Sequence, residues 1–244
     1  MGNMRLYFEK IYTEGFSSFM EELKHKLVNN EKAFIITANP ETLMIGQESK
    51  EFDKVLKSKD TIITPDGIGV VKAAKILGYP VKERVTGVEI VTGLFDILNE
   101  KKGTIYFLGA KQNVIEKLVN NVTEKYSSIN ILGYENGYVK DKDAVFDNIA
   151  QLKPDVVLVA LGIPAQELLI SKHYDRFDKG VFVGVGGSFD VLSGTKKRAP
   201  KIFIKLNLEW LYRILSEPKR IKRFYKSNVK FIAKVKGMRE KNED

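Results

Sequence analysis

The stretch "PDVVLVALGIPAQELLI", residues 154 to 170, decides the fold. Its first half is apolar without alternation and rich in β-branched valine. A strand of that kind must be covered on both faces, the condition of a strand inside a parallel sheet. A glycine and a proline break the run, and a helical pattern follows over 164 to 177. Strand, tight turn and amphipathic helix make half of a βαβ unit, and the chain repeats the pattern. Similar runs lie at "AFIIT" (33 to 37), "TIIT" (61 to 64), "TIYFLG" (104 to 109), "INILG" (129 to 133) and "GVFVGVG" (180 to 186). Amphipathic stretches at 16 to 28, 67 to 77, 87 to 100, 111 to 126 and 141 to 152 separate them. The alternation predicts a doubly wound α/β fold, a mostly parallel sheet with helices on both faces. With no internal repeat or low-complexity linker, residues 1 to about 195 read as one domain.

The 244 residues, 43% of them apolar, are enough to build a large core. The absence of cysteine excludes disulfide scaffolds and thiolate zinc sites. The start, "MGNMRLYFEKIYTEG", lacks the cationic and apolar blocks of a signal peptide, and no apolar run approaches the roughly 18 residues of a spanning helix. A cytoplasmic protein is expected. The net charge of +9 is unevenly placed: from Lys196 to Asp244 there are 16 Lys and Arg against 5 Asp and Glu, while the rest carries 24 basic and 26 acidic residues. The body is nearly neutral and the tail is basic, so the tail is expected to meet any polyanion.

In a doubly wound sheet the ligand lies outside the carboxyl ends of the strands. Polar turns fall there at Thr37 and Asn39 ("IITANPET"), Asp66 ("TIITPDGIGVV"), Gly109 ("FLGAKQN"), Gln166 and Glu167 ("LGIPAQE"), and Gly186, Gly187 and Ser188 ("VGVGGSFD"). Singly, Asn39 and Asp66 read as helix caps and the glycines as tight turns. Their convergence on one edge favours a site. Neither glycine cluster completes G-x-G-x-x-G, which disfavours a dinucleotide oxidoreductase. Asp141 and Asp143 form a D-x-D, a pattern that can hold a divalent cation, but before a helix they are better explained as acids at its N-terminus. His25 and His173 have no metal-ligand spacing. With no cysteine and no G-x-S-x-G elbow, the chemistry is expected to run on a carboxylate, without metal or cofactor.

The blocks "TANPETL", "TPDGIGVVKAAKILGYPVKERVTGVEIV", "FLGAKQNVIEK", "LGIPAQE" and "GVGGSFDVLSG" followed by "KRAP" resemble, in order from about residue 5 to 215, the signature blocks of the WecG/TagA/CpsF glycosyltransferases, glycosyltransferase family 26. The resemblance implies a Rossmann-like fold and metal-independent, inverting transfer from a UDP-sugar to a lipid diphosphate-linked sugar. Within the family the sequence is most similar to the TagA branch. That branch implies transfer of N-acetylmannosamine from UDP-ManNAc to the 4-hydroxyl of GlcNAc-diphospho-undecaprenol, a β-1,4 linkage, in wall teichoic acid linkage-unit synthesis. By the same resemblance Asp66 is the general base, Thr37 and Asn39 order it or touch the acceptor sugar, Arg84 and Gln166 line the pocket, and Gly109 and the "GVGGSFD" turn serve the nucleotide. Another UDP-sugar donor, such as UDP-ManNAcA or a UDP-hexose, fits the same mechanism.

From Pro200 to Leu215, Phe203, Leu206, Trp210 and Ile214 recur at helical spacing beside a second row of Ile204, Leu208, Leu211 and Leu215. After Pro218, a second helix carries Ile221, Phe224, Tyr225, Val229, Ile232 and Val235 among lysines and arginines. A nucleic-acid arm would use the cations but not the apolar side. A helix packed on the body or a second subunit would use the apolar side but not the charge. A membrane surface uses both, so residues 196 to 244 are expected to form a basic helical appendage on the inner face of the cell membrane. Arg213, Arg220 and Arg223 are expected to close over the pocket and meet a diphosphate. A non-catalytic adaptor for anionic lipid or nucleic acid is the alternative from another class, and the row around Trp210 leaves self-association open.

Overall fold

Each apolar run singled out above is a strand. The computed structural model describes residues 4–217 and 221–240, with β1 (Lys32–Ala38), β2 (Thr61–Pro65), β3 (Thr104–Gly109), β4 (Asn130–Glu135), β5 (Val156–Ala160) and β6 (Gly180–Gly184). All pair in parallel, in the order β2-β1-β6-β5-β3-β4. β5 and β6, in the middle of the order, are buried along their whole length. That burial is the reason they carry no polar alternation.

Helices cover both faces. One layer holds α1 (Arg5–Glu9), α3 (Pro40–Glu48), α4 (Lys50–Lys57), α5 (Ile68–Ile76), α8 (Lys142–Leu152) and α9 (Ala165–His173). The other holds α2 (Phe16–Val28), α6 (Gly87–Lys101), α7 (Gln112–Lys125) and α10 (Ser188–Leu192). Side chains alternate between the layers along each strand: Phe34 and Ile36 join the first core, Ala33 and Ile35 the second.

The C-terminal segment departs from the sequence pattern in two ways. The helical spacing over 200 to 215 is broken into α11 (Lys201–Lys205) and α12 (Glu209–Ser216) by Asn207, whose φ of 57° is left-handed. Asparagine tolerates that conformation better than most residues because its side chain can hydrogen-bond locally. The last helix, α13 (Ile221–Glu240), packs against α3 and α5. Phe231 and Val235 are buried in the first core, and the Phe231 ring lies 6.4 Å from that of Phe8. The other apolar row of α13, Ile221, Tyr225, Val229 and Ile232, is exposed. No helix among the described residues is long and apolar enough to cross a membrane.

Candidate active site

From β1 across the sheet to β4, adjacent strands send the chain to opposite layers, whereas β2, like β1, sends it to the first. After β1 and β5 it enters α3 and α9 on one face, and after β6 and β3 it enters α10 and α7 on the other. The turns therefore part over the ends of β1, β6, β5 and β3, opening a crevice at the carboxyl edge of the sheet.

The polar turns are linked across that edge. The Asp66 backbone N–H donates to the Ala38 carbonyl at 2.9 Å, fixing the turn after β2 beside the end of β1. Asp66 Oδ1 accepts the backbone N–H of Gly87, at the start of α6, at 3.2 Å. A Cβ placed on Gly87 would lie 3.3 Å from Ser188 Oγ and 3.6 Å from Thr37 Oγ1, so Gly87, Ser188 and Thr37 meet at one point. Thr37 Oγ1 donates to the Gly184 carbonyl at 3.3 Å. Gln166 Oε1 accepts the N–H groups of Gly162 and Gly186 at 3.0 and 3.1 Å, and its Nε2 donates to Glu167 Oε1 at 2.7 Å. Gln166 thus braces the turn after β5 against the turn after β6. Gly109, φ 132°, closes the row; a Cβ there would stand 2.3 Å from the Ala160 carbonyl oxygen, so only glycine fits.

Some candidates do structural work that the sequence also allowed. Asn39 Oδ1 caps α3, accepting from the Glu41 and Thr42 N–H groups at 2.9 and 3.1 Å, while Thr42 Oγ1 accepts from the Asn39 N–H. Asp141 caps α8 through the Ala144 N–H. Asp143 binds Lys172 and His173, each at 2.7 Å. Among the described residues no group of three or more carboxylates and histidines is arranged to hold a metal ion.

Arg84 ties the body to the C-terminal segment. Its Nε donates to the Asp66 carbonyl oxygen at 2.7 Å, and its Nη2 donates to Glu209 Oε2 on α12 at 3.1 Å. Arg213, one turn on, donates to Glu209 Oε1 at 3.0 Å. Arg220 lies outside the described residues, as does the side chain of Arg223. The sequence reading missed Glu209, the Asn207 turn and the Gly87 N–H. A signal existed for the first, since Glu209 and Arg213 stand at i and i+4, the spacing of a helical ion pair. A cavity of about 480 Å³ opens beside this junction, lined by Phe16, Arg84, Thr86, Glu89, Ile204 and Asn207 among others.

Burial raises the Asp66 carboxyl above its ordinary pKa, and Glu209 adds to the rise; Arg213, Arg84 and the Gly87 N–H oppose it without cancelling it. Glu209 behaves oppositely. Burial pushes it up, but Arg213 and Arg84 outweigh burial and hold it below the usual range. Glu167, 1% exposed and answered only by Gln166 and its own backbone, is pushed up by burial to about 7.

A raised carboxylate and two arginines thus stand together at the carboxyl edge of a parallel α/β sheet, the edge at which such folds bind their ligands. The sequence comparisons narrow the class. The chain belongs to the WecG/TagA/CpsF family of glycosyl transferases, whose model matches residues 8–243. It is 44% identical over 208 residues to a protein of Bacillus spizizenii, covering 85% of this chain and 80% of the relative. It is 41% identical over 208 residues to one of Bacillus subtilis (85% and 81%), and 36% identical over 209 residues to one of Staphylococcus aureus (85% and 81%). All three relatives bear the name N-acetylglucosaminyldiphosphoundecaprenol N-acetyl-beta-D-mannosaminyltransferase.

Proposed function

We propose that the chain transfers N-acetylmannosamine from UDP-ManNAc to the 4-hydroxyl of GlcNAc-diphospho-undecaprenol, with inversion and without a metal, using Asp66 as general base. The names of the three relatives support the acceptor and the sugar transferred. The observation that carries the mechanism is the setting of Asp66, a carboxylate at the crevice with its pKa raised by burial and a single backbone N–H on Oδ1. Desolvation makes such a carboxylate a stronger base, and a base in hydrogen-bond reach of the attacking hydroxyl contributes roughly 10²- to 10⁴-fold. Arg84 and Arg213 are the cations at hand for the departing diphosphate. Ser188 and Thr37, which meet at Gly87, would line the space between donor and base.

We assign residues 1–195 to catalysis and 196–244 to membrane contact and closure of the site, with Arg220 and Arg223 joining Arg213 over the diphosphate. In this reading the enzyme lies on the cytoplasmic face of the membrane, where a polyprenyl acceptor is anchored. The test is UDP release from UDP-ManNAc, UDP-GlcNAc and UDP-glucose with a GlcNAc-diphosphate lipid analogue, in buffer and in EDTA. Release only with UDP-ManNAc and lipid, undiminished by EDTA, is the expected result. Release from another donor would replace the sugar, loss in EDTA would remove the metal-free mechanism, and no release would favour a binding module. Asp66→Asn should fold and lose about a hundredfold or more of turnover.

A further inference from the structure

We propose that Glu209 is a positioning residue for the transfer, holding Arg84 and Arg213 as one pair beside Asp66 so that both guanidinium groups reach the site without closing on the base. The inference rests on the assignment of Asp66 as that base.

Glu209 is the only acidic residue between Lys196 and Ser216, and it is 6% exposed. A buried carboxylate is costly unless paired. Here each oxygen has its own arginine: Oε2 accepts from Arg84 Nη2, and Oε1 accepts from Arg213 Nη2. The two arginines come from different parts of the chain, one from the loop before α6 and the other from α12. Two like charges brought together in that way repel unless an anion lies between them. Glu209 is that anion, and through Arg84 Nε, which donates to the Asp66 carbonyl oxygen, the whole group is anchored to the turn carrying the base.

The charges facing Asp66 are Arg84 from the loop, Arg213 and Glu209 from α12, with the Gly87 N–H from α6. If Glu209 were neutral, the arginines would lose their counter-charge and be drawn toward the Asp66 carboxylate. An ion-paired carboxylate is a weaker base. With Glu209 in place, the arginines carry one net positive charge and keep donors for a diphosphate, while Asp66 keeps its raised pKa. The segment containing α12 thereby becomes part of the catalytic setting.

The experiment compares Glu209→Gln, Glu209→Asp and Asp66→Asn with the unmodified full-length enzyme, reading kcat, KM for the sugar nucleotide, the pH profile of kcat/KM and Tm. Glu209→Gln keeps the shape and removes the charge. It should move the acidic limb of the profile to lower pH and lower kcat by about tenfold or more. Glu209→Asp keeps the charge and should leave the limb where it was. A role limited to stability would lower Tm for Glu209→Gln and leave the limb unmoved, and that result overturns the proposal. Should Glu209→Gln fail to fold, Glu209→Asp carries the decision: an acidic limb displaced despite the retained charge sinks the idea, and one that stays in place with kcat reduced supports it. The Asp66→Asn arm separates the two assignments. Full activity there removes the base and with it the reason for Glu209, whereas a collapse in Asp66→Asn with an unmoved limb in Glu209→Gln condemns Glu209 alone.

Discussion

Asp66 and Glu167 are both carboxyls whose pKa burial has raised, and their surroundings give them different work. Asp66 faces two arginines and an N–H group, so the carboxylate remains available to take a proton. Glu167 faces Gln166, and its Oε2 is buried with no hydrogen-bond partner among the described residues. An ionised carboxylate there would have an unanswered charge. Protonated Glu167 instead keeps Gln166 turned so that its oxygen meets the Gly162 and Gly186 N–H groups. The folded pKa of about 7 lies above the 4.5 of an unperturbed glutamate, so the folded state holds the proton more tightly. The stabilisation is complete below pH 4.5 and disappears as pH rises through 7, an effect on the order of 3 kcal/mol. Relative to Glu167→Gln, the unmodified protein should therefore lose Tm between pH 5 and 8. Parallel Tm curves for the two proteins across that range would show that Glu167 is not protonated in the fold.

At the scale of elements, capping and catalysis compete for Asn39. Its oxygen is committed to α3, so Asn39→Ala should cost about 1 kcal/mol of stability. Asn39→Ser keeps an N-cap oxygen but loses the amide. If Asn39 also serves the acceptor, as the proposed function holds, both variants lose turnover and only the alanine variant loses Tm. Full activity in Asn39→Ser would leave Asn39 as a cap and nothing more. This ambiguity shows where the sequence was readable. β5 and β6 could be read because unbroken valine-rich runs have few other uses, and the helices over 16 to 28 and 87 to 100 because one apolar face points at one core. Asp66 stood out because strand, turn and helix fix the edge on which it lies. The Glu209–Arg213 pair had its i, i+4 spacing to show it, but the link to Arg84 was hidden because it joins positions more than a hundred residues apart, and pairing across that separation leaves no local period. The broken helix at Asn207 was hidden because the apolar spacing runs through the break. One short residue with a left-handed φ is enough to redirect the chain.

On the scale of the whole molecule, α13 faces two media. Its inner row, Phe224, Phe231, Val235 and Met238, turns toward α12, α3 and the first core, with Trp210 stacked on Phe224 at 4.9 Å. Its outer row, Ile221, Tyr225, Val229 and Ile232, lies exposed near Lys222, Lys226 and Lys230. Exposed Ile202 on α11, Leu206 just after it and Leu215 on α12 extend the apolar surface of the C-terminal segment. Water alone gives no reason to expose so many large apolar side chains on one segment. The two rows can be tested separately. Phe231→Ala should destabilise the fold by about 3–5 kcal/mol, because it empties space beside Phe8 in the core. Replacing Ile221, Tyr225, Val229 and Ile232 by serine should leave Tm nearly unchanged. If the outer row meets a membrane, that variant should lose sedimentation with vesicles containing anionic lipid, and the unmodified protein should bind them less as salt is raised, since the lysine contribution is screened within about 10 Å at 0.1 M salt. Turnover on a short water-soluble acceptor should survive in the serine variant while turnover on the polyprenyl acceptor in vesicles falls. Equal loss on both acceptors would place the outer row in the architecture of the site instead of at a lipid surface.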